Sequence, residues 1–232
     1  MFFANPDSTS ASKLNQNGFT LIELLVVVSI ILILIAIALP NFLEAQVRAK
    51  VTRVWADLRT ISIAMESYRL DFGNYPTDSE DDLRGLRTGL LQLTTPLQYI
   101  AVVPFDVFSG DVTQSINGSA PHFEMGSTGL PPSFYAQGRK EPGNIHAFAL
   151  YSHGPDTYDW FEHEENWPFN GPANPCPTPT SLSMGTTSYS PTNGTKSIGN
   201  MHEFGGSWRA GNWCLDGILI RGDGWDLFPI QS

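Results

Sequence analysis

One acidic side chain stands at the start of the most apolar stretch of the chain, and it poses the clearest chemical problem in the sequence. Leu24–Leu39 run for sixteen residues without a charge, and Glu23 directly precedes them. A carboxylate in an apolar run is costly unless it is neutralised or paired with a cation. Glu23 therefore either needs a cationic partner or lies near a membrane interface and is protonated.

Side chains that could serve in catalysis are scattered along the chain. The sequence contains no G-x-S-x-G, H-E-x-x-H or G-x-x-x-x-G-K-[ST] motif. Its five histidines stand in loop-like sequence, and His153 and His163 are nine residues apart with no cysteine beside them, a poor pattern for zinc. The sequence therefore predicts that the protein is not an enzyme.

The chain has two cysteines, Cys176 and Cys214. A disulfide between them would stabilise the fold by roughly 3–4 kcal/mol if it were unstrained. It would fasten a proline-rich segment to the last strands, and an oxidising compartment would permit it. The alternative is two unpaired cysteines buried as small apolar residues.

Composition limits the class of protein. The chain has 232 residues, of which 41% are hydrophobic, 12% aromatic and only 16% charged, so it has ample material for a folded core. Its formal net charge of −10 argues against a nucleic-acid partner.

The element that carries Glu23 is predicted to be a membrane helix. Residues 19–40 are long enough to cross the hydrocarbon core of a bilayer, which is about 30 Å thick. A buried core helix is rarely apolar on every face. A secretory signal peptide would be followed by small residues, whereas Pro40-Asn41-Phe42 follow here.

A second, amphipathic helical stretch is predicted at residues 41–72. Apolar residues recur there at steps of three and four, so we expect one stripe to pack under a globular head. Joined to the membrane segment, it would form one helix of about 50 residues, which Pro40 is expected to kink or locally melt. Gly73 is expected to cap its end. The stripe consists of Val47, Val51, Val54, Trp55, Leu58, Ile61, Met65, Tyr68 and Phe72.

The hexapeptide Gly18-Phe19-Thr20-Leu21-Ile22-Glu23 before an apolar helix resembles the signal of bacterial type IV pilins and type II secretion pseudopilins. The resemblance implies that residues 1–18 are a leader, and that a prepilin peptidase cuts after Gly18 and methylates the amine of Phe19. It also implies that Glu23 of one subunit meets the Phe19 amine of the next. Pro40 stands where this family commonly has a helix-kinking proline.

Further segments resemble the major pseudopilin branch of this family. In that branch a loop near the end of the domain binds calcium, and the matching loop here is residues 154–159. The resemblance thus implies Asp156 and Asp159 as calcium ligands, whereas the alternative is a solvated acidic loop. The resembling segments are Tyr68–Thr77, Gly89–Leu93, Tyr99–Asp106 and Phe148–Asp156.

The predicted fold class is α+β, with the long helix packed on a small antiparallel sheet. The head comprises residues 73–232, with an insertion at 109–145 and a proline-rich excursion at 167–199. At the end of the chain we expect a strand, a turn at Gly222-Asp223-Gly224 and a second strand.

The sequence thus predicts a filament subunit of a type II secretion pseudopilus. Its expected partners are copies of itself, other pseudopilins or pilins, prepilin peptidase, an inner-membrane assembly platform and membrane lipid. It would cross the bacterial inner membrane once, with its head in the periplasm. The basic residues after the span would by themselves place the head in the cytoplasm, but the cleavage signal requires the leader there.

Two alternatives to a pseudopilus subunit stay open. One is a major or minor pilin of a type IV pilus. The other is a membrane-tethered binding module whose aromatic head grips a sugar or an exported protein. The aromatic residues in question are Trp160, Trp167, Trp208, Trp213 and Trp225.

Overall fold

A computed structural model describes the chain in eight stretches. It divides into two compact units, residues 1–43 and 44–232. Three residues singled out above, Asp159, His163 and Cys176, lie outside the described stretches, as do Trp225 and most of the leader. The described residues are 18–77, 89–109, 123–129, 145–158, 160–161, 167–168, 185–191 and 197–222.

A single helix, α1, runs from Leu21 to Phe72 over 52 residues. It ends as predicted, because Gly73 adopts a φ of +78° and its N–H donates to the carbonyl of Arg69 at 2.8 Å. The helical assignment continues through Pro40, so the expectation of local melting there is wrong. A proline removes one helical hydrogen bond, and the bonds around it suffice to keep the backbone helical. A kink at Pro40 stays a prediction.

The amphipathic part of α1 packs through one stripe, as expected. Its fully buried side chains include Val54, Leu58 and Met65. Trp55 and Phe72 were expected in the same stripe, but they are 40% and 46% exposed. Trp55 follows Val54 by one residue, which turns it about 100° around the helix axis and away from the buried face.

The described residues beyond α1 form six short strands, which confirm the predicted α+β architecture. Two 3₁₀ helices, Gly89–Leu93 and Trp208–Ala210, accompany them. The strands are β1 (Glu124–Ser127), β2 (Ala147–Ser152), β3 (Gly185–Thr186), β4 (Met201–Gly206), β5 (Asn212–Leu215) and β6 (Ile218–Arg221).

The first sheet is antiparallel in the order β1-β2-β4, and its central strand is buried on both faces. Because side chains alternate along a strand, Phe148 and Leu150 pack into the core formed with α1. Ala149 and Tyr151 pack into a second, aromatic core. An ion pair between Arg59 and Glu203, with a 2.8 Å N–O distance, joins α1 to β4.

The second sheet has the order β3-β5-β6 and is not purely antiparallel, because β3 runs parallel to β5. The β5–β6 hairpin turns at Asp216 and Gly217, whose φ angles are +52° and +76°. The single strand expected before Gly222 is therefore wrong, because this turn divides it, whereas the predicted turn at Gly222-Asp223-Gly224 lies outside the described residues after Gly222 and stays a prediction. Asp-Gly is a preferred pair for a two-residue hairpin turn in which both φ angles are positive. The pair Asp216-Gly217 is therefore the sequence signal for this turn.

The insertion and the proline-rich excursion both contribute a strand and a buried side chain. The insertion at 109–145 contains β1, and its Met125 is part of the core formed with α1. The excursion at 167–199 contains β3, and Trp167 is buried in the aromatic core. Apolar side chains at these positions draw the backbone inward despite the glycines and prolines around them.

His202 lies inside the aromatic core. Its ring stacks on Phe204, with 5.4 Å between ring centroids, and its Nε2 forms a hydrogen bond with the hydroxyl of Thr186. Burial disfavours the charged imidazolium and lowers the pKa of His202 to about 3, against an ordinary value of 6.5.

Because His202 is buried in its neutral form, the free energy of unfolding should decrease as the pH is lowered. Below pH 6.5 the unfolded chain binds a proton at His202 that the folded chain, with its pKa of about 3, does not bind. Stability should therefore fall by about 1.4 kcal/mol for each pH unit between pH 6.5 and about pH 3. Denaturant unfolding of the full chain in detergent at neutral and acidic pH measures the loss. His202→Gln should show a smaller loss, and an equal loss in both proteins would contradict the assignment.

Candidate functional site

The segment that the sequence singled out for processing and assembly lies at the start of α1. Its side chains project from the chain, with Phe19 73% exposed. The N–H of Leu24 donates to the carbonyl of Thr20 at 3.2 Å, so Thr20 is the residue that caps the helix. At Gly18 an added Cβ would meet no atom within 4 Å, so no contact of the described residues requires glycine there.

Glu23 and Thr20 form a reciprocal cap. The Oε2 atom of Glu23 accepts hydrogen bonds from the backbone N–H of Thr20 at 2.9 Å and from its hydroxyl at 2.6 Å. The hydroxyl oxygen of Thr20 accepts from the N–H of Glu23 at 3.3 Å. This arrangement is a capping box. The sequence analysis missed it, although the Thr-x-x-Glu spacing before an apolar run is its usual signal.

The capping box fixes the Glu23 carboxylate without using all of it. Within the part of the chain that the structure describes, its hydrogen bonds end on Oε2. A carboxylate has about four acceptor positions on two oxygens. Oε1 of Glu23 thus accepts no hydrogen bond from the described residues.

The helix that carries Glu23 is apolar on every face. Its large side chains from Leu21 to Leu39 are all exposed in the single chain. By length and composition, this is the described helix that could cross a membrane, and none of its apolar window is buried within the chain. Such a surface suits lipid or the matching surfaces of other helices.

In the loop expected to bind calcium, Asp156 accepts three hydrogen bonds. Oδ2 of Asp156 accepts from the indole N–H of Trp160 at 2.7 Å and from the N–H of Gly199 at 3.3 Å. Its Oδ1 accepts from the N–H of Tyr158 at 3.4 Å. Among the described residues, no three His, Cys, Asp or Glu side chains come together as a metal site. Asp159, the second calcium ligand that the resemblance implies, lies outside the described residues.

Several other titratable side chains among the described residues of the head form hydrogen bonds. The ring of His153, considered above for zinc, lies 2.9 Å from the carboxylate of Glu124, and the hydroxyl of Tyr151 donates to the same carboxylate at 2.7 Å. Asp106 accepts from the N–H of Phe108 at 2.9 Å, and its burial raises the pKa of the carboxyl above the ordinary value. These contacts are those of a packed sheet surface.

The cysteine and tryptophan positions fall partly within the described chain. Cys214 is buried on β5 and is disulfide-bonded, whereas Cys176, the other cysteine of the sequence, lies outside the described residues. Trp167 and Trp213 are buried with ring centroids 5.5 Å apart. Most aromatic side chains proposed for a binding module thus serve the second core.

Comparison with known proteins gives two adjacent family matches. Residues 13–39 match the prokaryotic N-terminal methylation motif, and residues 41–138 match the type II secretion system (T2SS) protein G family. The two matches meet near Pro40, at the boundary between the apolar and amphipathic parts of α1.

Individual relatives agree with these matches. The type II secretion system core protein G of Klebsiella michiganensis is 30% identical over 128 residues, which cover 50% of this chain and 87% of that protein. The protein of the same name from Pectobacterium carotovorum is 28% identical over 54% of this chain and 85% of its own length. The type IV wide pilus major component PilA4 of Thermus thermophilus is 45% identical over 28% of this chain and 49% of its own. No solved structure matches the chain.

The capping box gives a prediction for the start of α1. Thr20→Val keeps the size of the side chain but removes the hydroxyl, which should destabilise the first helical turn by about 1 kcal/mol and speed amide exchange there about fivefold. Hydrogen exchange at Leu21–Leu24 of the full chain in detergent measures this. Thr20→Ser retains the hydroxyl and serves as the control. Equal exchange in the two variants would show that the cap does not hold the turn.

Proposed function

Because this chain belongs to the type II secretion system protein G family, we propose that it is a structural subunit of a pseudopilus. The observation that carries the proposal is a helix apolar on all faces with one carboxylate fixed at its start. The chain does its work by assembling through this helix, and it catalyses no reaction.

Processing precedes assembly. We infer that a prepilin peptidase cuts between Gly18 and Phe19, removes the leader and methylates the new amine. The methylation motif over residues 13–39 supports this, as does the exposure of Phe19. Cleavage gives the helix a cation four residues before its capping Glu. A glycine that no contact of the described residues requires fits a role in recognition by the peptidase.

Assembly joins that amine to a carboxylate on another copy. The Phe19 amine of one subunit approaches Oε1 of Glu23 on its neighbour, while Oε2 stays in the capping box with Thr20. In lipid or in a filament core, an isolated charge is costly and a paired one is much less so. The pair therefore favours the assembled state over the single subunit and sets the axial register between copies.

The cellular setting follows from the same proposal. The helix anchors the subunit in the bacterial inner membrane and the head lies in the periplasm, where an assembly platform and other pseudopilins are its partners. A pilin of a type IV pilus is the second candidate function, favoured by the 45% identity to a pilus component. The match to the protein G family over residues 41–138 favours the pseudopilus.

Two variants of Glu23 separate its charge from its capping role. Glutamine at this position of a capping box still accepts from the Thr20 N–H, so Glu23→Gln keeps the cap and loses the charge. Glu23→Ala loses both. If the ion pair drives assembly, both variants should reduce filament formation at least tenfold, since losing one partner of a buried pair costs about 3–5 kcal/mol. Filament yield by electron microscopy and sheared-fraction immunoblotting measures the effect.

The same experiment has its own controls. Mass spectrometry of the mature N-terminus should read methylated Phe19 in the wild type, which shows that a loss of filaments is not a loss of processing when a variant reads the same. Thr20→Val keeps the charge and loses the cap, so it should assemble better than Glu23→Gln. Normal filaments from Glu23→Gln would refute the ion pair.

A further inference from the structure

The loop after β2 is closed by hydrogen bonds from nitrogen donors, and its centre is the carboxylate of Asp156. The indole N–H of Trp160 donates to Oδ2 at 2.7 Å, which is a short bond to a charged acceptor. The N–H of Gly199, from the segment that leads into β4, donates to the same oxygen at 3.3 Å. Asp156 thus joins its own loop to a segment more than forty residues later in the chain.

Three other oxygen atoms near Asp156 also accept hydrogen bonds from backbone N–H groups. The side-chain oxygen of Asn200 accepts from the backbone N–H of Trp160 at 3.1 Å, and Asn200 is fully buried. The carbonyl of Gly154 accepts from the N–H of Thr157 at 3.1 Å, and the carbonyl of Thr187 accepts from the N–H of Asn200 at 2.8 Å. These three oxygens therefore face N–H groups.

The backbone around Asp156 is tightly constrained. Thr157 has a φ of +58°, a conformation that a β-branched residue adopts only when its surroundings impose it. A Cβ on Gly154 would lie 2.8 Å from the carbonyl oxygen of Gly199, so the two segments touch through their backbones. The Asp156 carboxylate thus accepts from donors of its own loop, Tyr158 and Trp160, and from a donor of the second segment, Gly199.

A calcium ion would need a different arrangement. Calcium takes six to eight oxygen ligands, each with a lone pair directed at the metal. Two N–H donors already occupy Oδ2 of Asp156, and Oδ1 accepts from a third, the N–H of Tyr158. The donor set of the described residues is complementary to a carboxylate and not to a cation.

We propose that Asp156 and the indole of Trp160 form a metal-free clamp, which fastens the loop after β2 to residues 199–200 and lets the head fold without calcium. In this clamp the N–H groups of Trp160, Gly199 and Tyr158 supply the positive charge density that a divalent ion would otherwise supply. The proposal concerns the stability of the head and is independent of how the subunit assembles.

Thermal unfolding of the full mature chain in detergent, followed by near-UV circular dichroism, tests the clamp. The wild type should melt at the same temperature in EGTA and in millimolar calcium. Trp160→Phe keeps an aromatic ring but removes the N–H donor, so it should lower the melting temperature by about 5 °C in both conditions. Tyr158→Phe is the matched control, because the Tyr158 side chain is 56% exposed and only its backbone N–H reaches Asp156.

The opposite results would overturn the proposal. A wild-type melting temperature that rises with calcium and falls with EGTA would show a metal-dependent head, whatever the variants do. If Asp156→Asn then lost this response, Asp156 would be a calcium ligand. A Trp160→Phe protein that melts like the Tyr158→Phe control would remove the indole from the clamp. None of these outcomes depends on filament formation, so they leave the proposed function untouched.

Discussion

A fixed carboxylate at the start of a wholly apolar helix is the constraint on which the rest of this account depends. The helix surface is suited to lipid and to other helices, and neither environment tolerates an unpaired charge at low cost. The capping box with Thr20 satisfies part of Glu23 within its own chain and orients the remainder. Under the proposed function, a neighbouring subunit that offers an amine would lower the cost of this charge relative to a single subunit.

The described part of the head is built from short strands, so its stability depends on how they pack. The two faces of β2 serve two cores: Phe148 packs toward α1 and Tyr151 toward the aromatic cluster. The first core follows from the apolar stripe on α1, which the spacing of apolar residues in the sequence predicts. The second core gathers aromatic side chains from distant loops, so the tryptophans that resembled a binding surface are mostly structural.

Sequence reasoning succeeded where a pattern is local and repeated. The long helix, its Gly73 cap and the α+β class all follow from periodicity and cap residues, and the family resemblance follows from one hexapeptide. It failed where the outcome depends on competition between neighbours or on distant partners. Val54 and Trp55 point in directions about 100° apart on the helix, and helix propensity does not predict which of them is buried. The Asp156 contacts with Gly199 join segments that no local pattern connects.

The central claim is that Glu23 of one subunit pairs with the Phe19 amine of another, and solid-state NMR can measure this distance directly. Filaments would be assembled from an equal mixture of subunits labelled with ¹⁵N at Phe19 and subunits labelled with ¹³C at the Glu23 carboxylate. The account predicts dipolar coupling between the two labels at a distance of about 4 Å, as in an ion pair. Well-formed filaments in which the mixed labels show no coupling would contradict it.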